Sequence, residues 1–244
     1  MLLKAEKINF SFGKLKVLQN ISLEVKKGQF FALVGPLGCG KTTLLKTLGG
    51  LIKPTKGKVY LSNRLLTKPS AEISFVFQKS NLMPWRTVEK NIILPLEIKK
   101  VPKKEVKKRV RKILKLINLE KFKNTYPNDL SGGMEQLTAI ARSFIADAQI
   151  LLLDEPFASL DAISREKMNQ ELLKLWQRKR KTIILVTHSI EEAVFLADKV
   201  LIMSQRPGRI KSIIKIDLPR PRQLSTISSP EFNSIVKTIR KAIG

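Results

Sequence analysis

Short apolar runs recur along the chain, and between them lie stretches whose apolar residues return every three or four positions. Phe30-Phe31-Ala32-Leu33-Val34, Ile73-Ser74-Phe75-Val76-Phe77, Ile150-Leu151-Leu152-Leu153 and Thr182-Ile183-Ile184-Leu185-Val186 are the clearest runs. Unbroken apolar runs of this length suit strands buried on both faces rather than half-buried ones, which alternate. Helical periodicity covers Lys41 to Leu51, Ser131 to Ala146 (with Ser131 as N-cap) and residues 162–179. Residues 87–123 read as helices broken near Pro95 and Pro102. Ser189-Ile190-Glu191-Glu192 has capping-box spacing and opens one more helix. Strands alternating with helices predict an α/β fold with a mostly parallel sheet covered on both faces. No internal repeat interrupts this order. The chain reads as one domain, 1–244, with residues 205–244 as a tail of strands plus one helix.

Composition narrows the class. A chain of 244 residues, 43% hydrophobic and 27% charged, can bury a real core and is not disordered. One cysteine excludes a disulfide framework and points to a reducing compartment. No apolar run approaches the roughly 20 residues that cross a bilayer, and MLLKAEKINF meets Lys4 too soon for a secretory apolar core. The charge is unusual: 46 Lys+Arg against 20 Asp+Glu give a formal +26, which suggests a polyanionic partner. It is unevenly spread. Residues 99–123 carry 12 basic and two acidic side chains, whereas 124–205 carry nine and 11. The 99–123 run repeats Val106, Val110, Ile113, Leu114 and Ile117 at helical spacing. Its lysines are then either a solvated face over a core-facing stripe or a contact for anionic lipid headgroups or nucleic acid.

Chemistry enters with Gly35-Pro36-Leu37-Gly38-Cys39-Gly40-Lys41-Thr42, followed by Thr43, which fits G-x-x-x-x-G-K-[ST] in full. Glycines let backbone N–H groups converge on phosphate oxygens, and the following helix turns its positive N-terminus to the same anion. Lys41 can bridge β- and γ-phosphate oxygens, and the Thr42 hydroxyl can ligate Mg²⁺. The Cys39 thiol lies within this run, so alkylating it is expected to block nucleotide binding. Downstream, the run Ile150–Leu153 ends in Asp154-Glu155. Asp154 at the strand tip can hold Mg²⁺, and Glu155 can polarise an attacking water as general base. His188, the only histidine, ends another apolar strand and is placed to face a γ-phosphate.

Leu130-Ser131-Gly132-Gly133-Met134-Glu135-Gln136 precedes Asp154 at the start of a helix. Together with the glycine loop, the Asp154-Glu155 pair and His188, it resembles the nucleotide-binding cassette of ABC transporters from about residue 2 to residue 218. The resemblance implies a P-loop NTPase core with a mostly parallel sheet, an N-terminal antiparallel β portion and an inserted α-helical subdomain (about 87–147). It implies ATP and Mg²⁺ as cofactors and ATP hydrolysis coupled to transport. By the same resemblance Phe12 stacks on adenine, and Gln78 senses Mg²⁺ and the attacking water. Ser131, Gly132, Gly133 and Gln136 belong to the signature that meets the γ-phosphate across a dimer interface. Asp161, in Ala158-Ser159-Leu160-Asp161, belongs to the loop through which protomers communicate, and His188 steadies the transition state. The implied partners are a second copy bound head to tail, an integral membrane permease subunit and a solute-binding protein. No specific nucleic acid is implied, and the implied location is peripheral, at the cytoplasmic face of the inner membrane.

Asn81-Leu82-Met83-Pro84-Trp85-Arg86-Thr87-Val88, Arg206-Pro207-Gly208-Arg209-Ile210 and Asp217-Leu218-Pro219-Arg220-Pro221-Arg222 resemble the ATPases of nitrate, sulfonate, taurine and bicarbonate importers. Alternatively, these stretches are only fold-stabilising turns shared among relatives. Leu37, Glu135, Leu137 and Ser189 depart from the usual pattern. Two competing classes share the core: a soluble ABC-type ATPase on ribosomes or nucleic acid, and an export or lipid-extraction ATPase. The first usually needs two cassettes or long insertions, for which this chain has no room.

Overall fold

The computed structural model describes residues 1–244. Two sheets organise it. Strands β1 (Leu3–Phe12), β2 (Leu15–Val25), β4 (Lys56–Leu61) and β5 (Arg64–Leu65) form an antiparallel sheet in the order β2-β1-β4-β5. The second sheet contains β3 (Phe30–Val34), β6 (Ile73–Val76), β7 (Ile150–Asp154), β8 (Thr182–Val186), β9 (Lys199–Met203) and β10 (Ile210–Lys215). Its order is β10-β9-β3-β8-β7-β6, parallel throughout except for the antiparallel edge β10. Every residue of β3, β7 and β8 is buried, as their unbroken apolar runs require.

Alternate residues of these strands feed two cores. Phe31, Leu33, Leu152, Ile184, Val186 and Leu201 pack with α1 (Lys41–Leu48) and the antiparallel sheet. Ala32, Val34, Leu151, Leu153, Ile183 and Leu185 face the other way. There they meet α2 (Val88–Ile98), α3 (Lys103–Leu116), α4 (Gly132–Ile145), α5 (Ala162–Lys179), α6 (Ile190–Leu196) and α8 (Pro230–Ile243). A short α7 (Leu224–Ile227) precedes α8. The regular elements between β6 and β7 are all helical: α2, α3, two 3-10 turns and α4.

Several sequence expectations change in detail. Pro95 does not break its helix, because Val88, Ile92 and Leu96 form a buried stripe that packs on α4 and holds the turn around it. The break falls at 99–102 instead, with Lys100 at φ 53° and Pro102 as N-cap of α3. Helix α1 stops at Leu48 rather than Leu51, where Gly49 caps it and Gly50 turns left-handed. Phe77 lies just beyond β6. The tail holds one strand and two helices, not several strands and one helix. The capping box at Ser189 is only half made. Its Oγ accepts from Glu192 N at 3.1 Å, but the Glu192 side chain is buried and does not return to the cap.

In α3 the buried residues are Val110, Ile113 and Leu114. Arg109 is tied to Glu105 and Asp147, while Lys104, Lys107, Lys108, Lys112 and Lys115 are exposed. The tail arginines divide by task. Arg222 is buried and donates to the carbonyls of Val194, Phe195 and Ala197, closing the C-terminal end of α6. Arg220 pairs with Asp198 at 2.7 Å and lies 4.2 Å from the Trp176 ring centre. The two arginines of the motif at 217–222 thus form a structural clasp.

Candidate nucleotide site

Strand β3 ends at Val34 and α1 begins at Lys41, so residues 35–40 form a loop at the strand's carboxyl end, the place where α/β sheets bind ligands. Gly40 is the N-cap of α1 at φ 102°, and a Cβ there would meet Leu18 at 2.9 Å. The positive φ is what calls for glycine, and the crowding by Leu18 adds to it. Lys41 is 5% exposed, and its Nζ donates to Gly35 O at 2.8 Å and Pro36 O at 3.0 Å. Thr42 Oγ1 donates to Asp154 Oδ1 at 2.9 Å, joining α1 to the tip of β7. Burial pushes the Asp154 carboxyl up, while the Thr42 hydroxyl and the charges of Lys46, Lys41 and His188 hold it down.

Glu155 follows in a left-handed conformation, φ 48°, which costs a non-glycine residue about 1–3 kcal/mol. Its N–H donates to Val186 O at 2.9 Å on the neighbouring β8, and that bond keeps the turn in place. The turn aims the carboxylate at His188, with Oε1 2.5 Å from Nε2. His188 stands just past the end of β8. Two adjacent parallel strands thus deliver a carboxylate and an imidazole to one point.

These groups share one cleft. Phe12, Leu15 and Leu37 form an exposed apolar lip, and Gly38, Gly40, Lys41, Thr42, Thr43, Glu155, His188 and Arg206 line the rest. The Phe12 ring is 59% exposed and sits edge-to-face with Phe10 at 4.8 Å, leaving one face free. Gly35 and Pro36 contribute through the carbonyls that Lys41 holds. The Cys39 thiol instead turns into the core at 1% exposure, and burial raises its pKa. It is therefore shielded from alkylation, contrary to the sequence expectation.

Gln78, Ser131, Gly132, Gly133, Gln136 and Asp161 do not line this cleft. Gln78 is exposed on the segment after β6. Ser131 caps α4, accepting from Met134 N, and Asp161 caps α5, accepting from Ser164 N at 2.9 Å; the Ser164 hydroxyl first, and then its backbone N–H, lower the Asp161 pKa. Gly132 and Gly133 lie beside Leu160, so the start of α4 and the Asp161 loop form one surface. Gln136 turns inward and donates to Phe77 O at 3.0 Å. Glu135 accepts from Ser80 Oγ at 2.9 Å, and Arg142 donates to Ser80 O and Asn81 O, both at 3.1 Å. Helix α4 therefore stitches down the segment that carries Gln78, and Glu135 has a structural partner.

Sequence reasoning missed Arg206 in the cleft, although it had singled out the motif that contains it. It also missed Asn91, which is fully buried, accepts from Met83 N and donates to the carbonyls of Met83, Arg86 and Thr87. A polar residue beside the apolar stripe of α2 was its only signal.

Glu192 is buried in the first turn of α6, with burial pushing its carboxyl up to about 7. The Thr187 hydroxyl, the Arg165 charge and the Asn169 side chain oppose that rise, and the Glu155 charge adds to it. A raised carboxyl favours the fold in its protonated form. Its contribution is whole below the ordinary value of 4.5 and is lost as pH climbs through about 7. Glu192→Gln keeps the neutral shape. Its melting temperature is expected to match wild type at pH 5 and exceed it by roughly 5 °C at pH 8. Parallel melting curves across that range would refute the assignment.

Comparison with known proteins identifies the arrangement. The model of the ABC transporter family matches residues 18–158. An uncharacterized ABC transporter ATP-binding protein of Methanocaldococcus jannaschii is 48% identical, over 95% of this chain and 87% of that protein. The aliphatic sulfonates import ATP-binding protein SsuB of Bacillus cereus is 42% identical, over 92% of this chain and 88% of that protein. Among solved structures, a dimeric ATP-binding cassette in a post-hydrolysis state with ADP and Pi aligns at TM-score 0.76 and 34% identity. It covers 89% of this chain and 100% of its own. The cbiO1 protein of Clostridium perfringens, part of an ABC transporter complex, aligns at TM-score 0.82 and 25% identity, over 99% of this chain and 97% of its own. The likeness spans both sheets and the helices between β6 and β7, and the chain belongs to the ABC transporter ATP-binding family, as an ATPase that energises transport.

Proposed function

We propose that this ATPase drives uptake of an aliphatic sulfonate or a similarly small anion, in the class that includes nitrate, taurine and bicarbonate. The observation that carries this reading is the 41–42% identity, over more than nine-tenths of the chain, to proteins named for sulfonate import. The solute itself meets other chains, namely a membrane permease and a solute-binding protein. No helix here is long and apolar enough to cross a membrane; in this reading the ATPase sits peripherally at the cytoplasmic face, against the permease.

In this reading ATP lies in the cleft with adenine against Phe12 and its phosphates on the backbone of residues 35–43. Lys41 gives up two carbonyl bonds to hold phosphate oxygens. The oxygen donors Thr42 and Asp154, already 2.9 Å apart, fit Mg²⁺, which takes few protein ligands plus phosphate; Gln78 would join them on closure. The metal would neutralise charge building on the phosphates. Glu155 takes the proton of the attacking water, and His188 orients that carboxylate and faces the γ-phosphate. Ser131, Gly132 and Gly133 stand away from their own cleft beside the Asp161 loop, which supports a head-to-tail pair in which each signature helix closes the other copy's site. Gln136 acts by holding the Gln78 segment.

The test is copurification of tagged chain from its native membrane, followed by reconstitution of the recovered complex in liposomes. ATP-driven uptake of an alkanesulfonate above that of a neutral solute is expected. Recovery of ribosomes or nucleic acid without a membrane protein would sink the proposal.

A further inference from the structure

The cleft has a wall that comes from the far end of the chain. The loop between β9 and β10 is clamped to β2: Gly208 N donates to Val17 O at 2.8 Å, and Gln19 N donates to Gly208 O at 3.0 Å. Arg209 adds bonds to Gln19 Oε1 at 3.1 and 2.7 Å. A Cβ at Gly208 would lie 2.2 Å from Cys39 O, so the loop touches the phosphate loop backbone and needs glycine there. From this fixed base Arg206 reaches over the phosphate loop. Its Nε and Nη2 both donate to Gly38 O, at 3.0 and 2.9 Å. Gly38 has φ 71°, a conformation that favours glycine, and Nη2 lies 3.0 Å from where its Cβ would be.

The geometry points to Arg206 as a positioning residue for nucleotide binding, one that ties back the Gly38 carbonyl so that the loop presents N–H groups to phosphate. The inference rests on the nucleotide reading of the cleft. An anion in a backbone cradle is attracted by N–H dipoles and repelled by carbonyl oxygens. A trans peptide is planar, so its C=O and N–H point in opposite directions. Holding Gly38 O on the Arg206 side turns the N–H of Cys39 the other way, into the loop, where it makes only a long 3.4 Å contact with Pro36 O. Three carbonyls of this loop are tied by cations: Gly35 and Pro36 by Lys41, Gly38 by Arg206. Lys41 releases its two when it turns to phosphate. Arg206 sits on the cleft wall and keeps its carbonyl in both states. A planar fork on one oxygen suits that task better than an ammonium.

Orientation of the cradle acts equally on bound ATP and on the transition state, so its loss raises KM and spares kcat. Arg206→Ala is expected to raise KM for ATP and the Kd of a fluorescent ATP analogue roughly five- to twentyfold, the range of one charge-assisted hydrogen bond discounted for exposure. The kcat should stay within about twofold. Arg206→Lys should recover part of the affinity. Melting temperature without nucleotide should be unchanged, while the upward shift on adding ATP shrinks. A merely structural arginine would lower the nucleotide-free melting temperature and leave Kd alone, and that result overturns the inference. Lys41→Ala runs alongside. Wild-type affinity in Arg206→Ala with loss in Lys41→Ala overturns the Arg206 assignment alone, whereas a wild-type chain that binds no ATP overturns the nucleotide reading with it.

Discussion

Glu155→Gln is expected to bind ATP as tightly as wild type, to lose turnover by about a thousandfold, and to accumulate as a dimer once ATP is added. Three features of the site lead there. The turn after β7 holds Glu155 at φ 48° through its N–H bond to Val186 O, and glutamine keeps that backbone. The side chain is not part of the phosphate loop, so the ground-state contacts of ATP survive. What goes is the basic oxygen, because an amide cannot accept the proton of the attacking water. General bases contribute roughly 10²–10⁴ in rate. With bound ATP bridging two cradles and two signature helices and no hydrolysis to release it, the closed pair persists. Phosphate release and size-exclusion profiles with and without ATP measure both halves. Turnover within a few-fold of wild type would remove Glu155 from the role of base. An ATP-independent monomer with normal affinity would remove the sandwich instead.

What the sequence made legible and what it hid follow one physical division. Strands buried on both faces announce themselves, because every position must be apolar, and β3, β7 and β8 lie where their runs end. The glycine loop was legible for a related reason: its backbone geometry demands glycine at fixed spacing. Pro95 was misread because local propensity argued for a break, while the stripe Val88, Ile92 and Leu96 overrode it through packing on α4. Direction was hidden throughout. A linear motif places Cys39 and Gln136 beside functional neighbours but does not say that one thiol turns into the core and one amide turns to Phe77 O. Arg206 was hidden by distance, since only the pairing of its loop with β2 brings it to Gly38. The net charge of +26 likewise mixed several jobs that only the fold separates. Arg220 and Arg222 clasp α6, Arg206 and Lys41 face the cleft, and the α3 lysines are exposed.

Lys41→Ala is expected to weaken ATP binding by at least a hundredfold while leaving the fold at least as stable. The ammonium is 5% exposed, and the groups around it are two carbonyls at 2.8 and 3.0 Å and the Cys39 sulfur at 4.0 Å. Carbonyl dipoles solvate a buried cation, but they do not neutralise it. The charge is therefore held ready for an anion at the one place where the loop N–H groups and the N-terminus of α1 also point. Each hydrogen bond between charged groups contributes about 1.5–3 kcal/mol, and Lys41 can make two to phosphate, which sets the hundredfold floor. Removing the side chain also removes a buried charge that is in no salt bridge and feels Asp154 only at longer range, so the nucleotide-free melting temperature should hold or rise. Lys41→Arg should not restore binding, because a planar fork is bulkier than the point charge that the glycine loop closes around. Titration with a fluorescent ATP analogue, paired with thermal melts with and without ATP, separates affinity from stability. If binding survives in Lys41→Ala while the melting temperature falls, Lys41 is a structural cation that holds the loop carbonyls, and the anion must be held by backbone alone.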